Sequence, residues 1–132
     1  MNDIAIQQKV SNLVAKYADL CDQHDWKGVA ALFTPDGVFD ASTVYGKTMK
    51  GSAELLEFYE SAPVAVGHHP TSVYCTSITD SEVVARMKMI VIFRAGIFSV
   101  DYLWTLVPCG EELSIAKQTI SLVGKVALPK TG

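Results

Sequence analysis

The chain has 132 residues, 49% of them hydrophobic and 19% charged, with a formal net charge of −3. At this length one domain with one core is expected, and so apolar a composition excludes a disordered chain. The acidic balance and the lack of any basic run exclude nucleic acid and anionic membrane surfaces as expected partners.

The longest apolar stretches, such as Met89 to Phe93, are too short to cross a bilayer as helices. The N-terminus lacks the basic-then-apolar pattern of a secretory signal. Cys21, Cys75 and Cys109 lie far apart with no CxxC pair. The expectation is therefore reduced thiols in a cytoplasmic protein, with no disulfide framework and no metal site.

Residues 4 to 22 predict a helix, because Ile6, Val10, Leu13, Val14, Tyr17 and Cys21 recur at spacings of three and four. Asn2 or Asp3 can cap it. Asp25 predicts the cap of a second helix, Trp26 to Phe33, with Val29, Ala30, Leu32 and Phe33 inward. Thr34-Pro35-Asp36-Gly37 predicts a turn, with Pro setting φ and Gly supplying a positive φ. A short strand, Gly37 to Ala41, follows, with Val38 and Asp40 on one face and Phe39 on the other. Thr43 to Lys50 predicts a hairpin or irregular crossing. Ser52 predicts the cap of a third helix, Ala53 to Glu60, closed off by Pro63 and Gly67.

Val73 to Ile78, Val83 to Phe93, Phe98 to Val107 and Leu113 to Val123 are rich in Val, Ile, Thr, Tyr and Phe. The turns between them are short, which predicts an antiparallel meander. Helices in the first half and strands in the second give an α+β class, with three N-terminal helices on one face of a curved antiparallel sheet. A single domain fills residues 1–132, its core about 4–125, with 126–132 a loose tail.

The run from Tyr17 through DxxDW and ALFTPDGVFD, a short third helix and a closing four-strand meander resembles the nuclear transport factor 2-like superfamily, and most of all its SnoaL-like branch. The resemblance implies a cone-shaped, cystatin-like fold with an apolar pocket. Members include polyketide cyclases, ketosteroid isomerases and scytalone and bile-acid dehydratases, as well as non-catalytic binding or dimerisation modules. Fold therefore does not fix function.

By this resemblance Tyr17 matches a first-helix tyrosine that donates a hydrogen bond into the pocket. Asp22 matches an aspartate that pairs with a histidine, and His68 or His69 supplies that histidine. Asp101 matches an acidic position that acts in isomerases as a protonated donor. The isomerase base falls at Ala41, one residue beyond Asp40, and a second dehydratase histidine falls near Met87.

The residues themselves constrain these roles. Pro70 biases His69 toward extended backbone, so His68 and His69 point to opposite faces and only one enters a pocket. The resemblance favours His69, whose spacing to the Asp80-Ser81-Glu82 turn is nearer the family's usual interval; the alternative is a pair of solvated loop histidines. Asp22 ends a helix, where the dipole disfavours a carboxylate and a histidine partner would offset it. Asp101 lies mid-strand in an apolar run, either buried as a neutral donor or paired with Arg86 or Lys88.

Asp40, Phe33, Phe58, Met87 and Leu103 complete the expected pocket wall. The leading expectation is a cofactor-independent lyase or isomerase acting by His–Asp base catalysis on a small, apolar, oxygenated cyclic molecule. The alternative is a non-catalytic binding or dimerisation module. A homodimer through the outer sheet face is expected from the apolar strand half.

Overall fold

The computed structural model describes residues 2–127. Helix α1, Asp3–Asp22, begins where the Asn2 side chain accepts from the backbone N–H of Ile4 at 2.9 Å. Its buried stripe is Ile6, Val10, Val14, Tyr17, Ala18 and Cys21, and the predicted Leu13 is only half-buried. Helix α2, Trp26–Ala31, is capped by Asp25, which accepts from Gly28 N at 2.9 Å. It is shorter than predicted. The Ile115 N–H donates to the Leu32 carbonyl at 2.8 Å, which draws the chain into the sheet.

Strand β1, Phe33–Ala41, contains the Thr-Pro-Asp-Gly segment as a bulge, not as a turn between elements. Phe33 pairs with Ile115 and Val38 with Lys117, so β1 uses five steps where its neighbour uses two. Gly37 serves a purpose other than the predicted positive φ. A Cβ there would lie 2.9 Å from both Phe33 Cβ and the Thr34 carbonyl oxygen, so only glycine fits the bulge.

A short helix α3, Ser42–Tyr45, and strand β2, Lys47–Lys50, occupy the stretch expected to be irregular. Helix α4, Ser52–Ser61, starts after Gly51 at φ +86°, with no side-chain cap. There are thus four helices among the described residues instead of three. The extra one arises because Gly46, at φ +72°, stops α3 after one turn and lets β2 return antiparallel to β1.

Strands β3 (Gly67–Ile78), β4 (Val83–Phe93), β5 (Gly96–Cys109) and β6 (Glu112–Ala127) form the antiparallel meander. The sheet order is β2-β1-β6-β5-β4-β3, and β1 joins β6 in parallel, which makes the sheet mixed. β3 begins at Gly67, six residues before the predicted start. It tolerates Pro70 because it is an edge strand. β6 runs through Ala127, into the predicted tail; residues 128–132 lie outside the described residues.

Side chains alternate strictly along β5. Val100, Tyr102, Trp104 and Leu106 are buried, while Asp101, Leu103 and Thr105 are half-buried on the outer face. α1 lies against the inner face over β3 and β6, and α4 closes over α2 and β1. None of the described helices is long and apolar enough to cross a membrane.

Candidate functional site

Between the helices and the inner face of the sheet lies a cavity of about 430 Å³. Its wall is mostly aromatic and aliphatic, with Trp26, Phe39, Phe58 and Val91 among its residues. The polar side chains on it are few. Tyr17 and Cys21 come from α1, Tyr45 from α3, Tyr59 from α4, His68 from β3 and Tyr102 from β5.

His68, not the favoured His69, faces the cavity. His68 pairs across the sheet with Val91 and His69 with Ile90. Val91 belongs to the buried phase of β4 and Ile90 to its exposed phase. Cross-strand partners share a face, so His69 is turned outward. Two register shifts along β3, at Thr71/Tyr74 and Cys75/Ser77, upset any count from the Asp80 turn.

The His68 ring meets the carboxylate at the end of α1. Nδ1 lies 2.8 Å from Asp22 Oδ1, and the backbone N–H of His68 donates to Oδ1 at 3.0 Å and to Oδ2 at 3.2 Å. These bonds offset the unfavourable placement of a carboxylate at a helix C-terminus. They also fix the ring: Nδ1–H donates to Asp22, and Nε2 carries the free lone pair. The side chains of His68 and Asp22 are 16% and 32% exposed, so the pair sits where the cavity meets solvent.

About 7.5 Å along α1 from Asp22, five residues at 1.5 Å rise, Tyr17 begins a second polar group. Its hydroxyl oxygen is 2.7 Å from that of Tyr59. The Gln118 amide donates to both hydroxyls at 3.2 Å, and the Trp104 indole N–H donates to Gln118 Oε1 at 2.8 Å. Burial pushes Tyr17, Tyr59 and Tyr102 well above the usual phenol range. They remain neutral and can act only as hydrogen-bonding phenols. Burial likewise pushes the Cys21 thiol up to about 12, leaving it unreactive at neutral pH.

The remaining expected residues divide. Phe58 lines the cavity. Phe33 and Met87 are core residues that do not reach it. Leu103 and Asp101 lie on the outer face, because the alternation of β5 turns Tyr102 and Trp104 inward. Asp101 Oδ1 accepts from Lys88 Nζ at 2.7 Å, with side chains 32% and 53% exposed. An ion pair that open is worth at most about 1 kcal/mol. Asp101→Asn is expected to change the urea-unfolding free energy by no more than that and to leave turnover unaltered. Loss of activity would restore Asp101 as an acid of the site.

Asp40 also faces away from the cavity. It accepts from the Ser42 hydroxyl at 2.6 Å, the Ser42 N–H at 3.1 Å and the Thr48 hydroxyl at 3.3 Å. The Ser42 bonds hold its carboxyl below the usual range. Phe39 and Ala41 take the inward positions, as the one-residue offset from the isomerase pattern implies.

Sequence reasoning did not single out Gln118, Trp104, Tyr59 or Tyr102 as a polar group. Tyr102 and Trp104 were readable from the β5 alternation once Asp101 was placed outside. Gln118 carried no such signal, since a register shift between Thr105 and Leu106 changes the inward phase of β6 just before it.

No curated protein matches the chain. Among solved structures, a proposed aromatic ring hydroxylase from Novosphingobium aromaticivorans superposes with a TM-score of 0.83 at 17% identity, over 97% of this chain and 96% of that one. A proposed scytalone dehydratase from the same organism gives 0.78 at 15% identity, over 98% and 91%. A type 2 hexachlorocyclohexane dehydrochlorinase, LinA, gives 0.80 at 13% identity, over 98% and 93%. At such identities these likenesses show the shared fold, the cystatin-like fold of NTF2-like proteins. The SnoaL-like domain family matches residues 2–116, and the chain belongs to that family.

Proposed function

We propose that the protein is a cofactor-independent lyase or isomerase for a small, apolar, oxygenated cyclic substrate. One observation carries the reading: a histidine with its Nδ1 2.8 Å from a carboxylate stands on the wall of an otherwise apolar cavity. Asp22 keeps Nδ1 protonated and stabilises the imidazolium that forms when Nε2 takes a proton. The Tyr17–Tyr59 pair offers a neutral donor for a carbonyl oxygen.

In the proposed step Nε2 removes a proton from the carbon beside the carbonyl. The C–H electron pair moves into the new C=C bond, and the charge on oxygen is met by the phenol hydrogen bond. The enolate then expels a leaving group from the neighbouring carbon, or regains the proton elsewhere. Loss of water or of HCl is the first outcome. The names of the scytalone dehydratase and dehydrochlorinase structures favour it by analogy alone.

The test is a panel of β-hydroxylated and β-chlorinated cyclic ketones of polyketide, steroid and terpenoid type, assayed for elimination or double-bond migration. Turnover that disappears in His68→Ala and persists in His69→Ala supports the reading. Full turnover in the His68→Ala, His69→Ala double variant contradicts it.

A homodimer through the outer sheet face belongs to the same proposal. Tyr74 and Ile90 are large and exposed there. Sedimentation equilibrium at micromolar concentration should give twice the chain mass, and a monomer alone would refute the dimer.

A further inference from the structure

Tyr45 on α3, Pro63 between α4 and β3, Ala95 between β4 and β5, and Leu122 on β6 line the cavity and are also exposed, so they mark its mouth. The segments that carry them, 42–50, 62–66, 91–98 and 120–127, contain Lys47, Lys50, Arg94 and Lys125 and none of the chain's 14 Asp and Glu. Asp22, which reaches the opening from α1, is held by the ring and the N–H of His68. A chain of net charge −3 thus has a mouth whose uncommitted charge is positive.

Two of these cations belong to the inner face. Lys47 stands opposite Ala41, and Lys125 opposite Phe98. Ala41 is buried in the inward phase of β1, and Phe98 lines the cavity. Cross-strand partners share a face, so each lysine takes an inward position close to the end of its strand. Lys47 Nζ lies 5.5 Å from the centroid of the Phe58 ring, and Lys125 Nζ lies 5.3 Å from that of Phe98. Both rings are part of the cavity wall. Gly96 makes room for the second lysine, since a Cβ there would lie 3.2 Å from Lys125 Cε.

A ring face attracts an ammonium group without neutralising it. The described residues contain two ion pairs, His68–Asp22 and Lys88–Asp101, and neither lysine is in one. Covering of apolar surface accounts for where the lysine stems lie. It does not account for a rim of one sign on an acidic chain.

We propose that this rim is an anion site and that the cavity takes cyclic carboxylic acids, the ring entering the apolar interior while the carboxylate stays at the mouth with Lys47 and Lys125. A carboxylate carried inward would lose its water for an aromatic wall, which is costly. At the mouth it keeps part of its hydration and meets two cations that no other group opposes. The charge also orients entry, because the end of the molecule opposite the carboxylate must go in first. This site deepens the reading above and rests on it for bringing the ring to His68, but its test needs no turnover.

Tetralin-2-carboxylate and its neutral isostere tetralin-2-carboxamide can be titrated against the emission of Trp26, which lines the cavity. Wild-type protein at low salt should bind the acid at least about fivefold more tightly than the amide, the worth of one or two open ion pairs. The ratio should shrink toward one between about 20 mM and 500 mM salt. The Lys47→Met, Lys125→Met double variant keeps a long stem over each ring and removes only the charge. It should bind acid and amide alike, with the amide affinity of wild type. Lys47→Arg with Lys125→Arg should keep the preference. Lys117→Met removes a charge from the outer face of β6, opposite Thr105, and should leave the ratio unchanged.

Equal wild-type affinity for acid and amide at low salt overturns the anion site, whether or not any variant folds. So does a ratio untouched in the double Met variant, or one lowered as far by Lys117→Met. An acid preference in a protein that converts none of the ketone panel would leave the anion site standing and remove the proposed reaction. Turnover of neutral ketones with equal affinity for acid and amide would do the reverse.

Discussion

Replacing His68 with alanine is expected to lower kcat by roughly 10²–10⁴-fold, the usual contribution of a positioned general base. The basis is the direction of its hydrogen bonds. Asp22 occupies Nδ1 at 2.8 Å, so the basic lone pair is on Nε2. His69→Ala should stay close to wild type, because that ring is exposed on the other face of β3. Asp22→Asn should fall between the two, since an amide can still bond to the ring but neither enforces the tautomer nor stabilises the imidazolium. Steady-state kinetics on any substrate from the ketone panel check all three. Equal losses in His68→Ala and His69→Ala would point to a disturbed strand and away from a base.

Trp104→Ala is expected to cost about 3–5 kcal/mol of folding free energy, the range for deleting a fully buried aromatic side chain. The urea midpoint should fall by about 2–3 M. Two effects combine. The indole is 0% exposed and packs edge-on to Tyr17 at 5.6 Å, so its removal leaves a void. The same change takes away the one donor to Gln118 Oε1 among the described residues, leaving a buried acceptor unpaired. Leu103→Ala, one residue earlier on the outer face, should cost far less. A Leu103 variant as damaging as the Trp104 variant would show that the two faces of β5 have been exchanged.

Much of the architecture could be read from local pattern. The 3.6-residue stripe of α1, the Asp25 cap and the complete β4 boundaries all follow from side-chain period and turn chemistry. The site residues that were misjudged are those set by register between strands. Choosing between His68 and His69 requires knowing which residue stands opposite Val91, and two irregularities in β3 hide that from a count along the chain. Asp101 stood out as a carboxylate in an apolar run, yet the strict alternation of β5 places it outside with Lys88. Nothing in Lys117-Gln118-Thr119 marks Gln118 as inward, because the shift that turns it lies in the pairing of β5 with β6.

The aspartate was the more legible half of the pair. A carboxylate at a helix end already needed a partner, and the unfavourable dipole showed that from sequence. The tyrosine was legible too, as part of a buried stripe. What the stripe could not show is that Tyr17 shares its hydroxyl with Tyr59 and, through Gln118, with Trp104. Those partners come from three other elements that meet only in the folded chain.

The most direct test of the central claim is proton exchange at the carbon beside a bound carbonyl. In D₂O, wild-type protein should accelerate the loss of the α-proton NMR signals of 2-tetralone, and His68→Ala should return the rate to that of buffer. Exchange that persists undiminished in His68→Ala, or a wild-type rate no faster than buffer, would contradict His68 as the base.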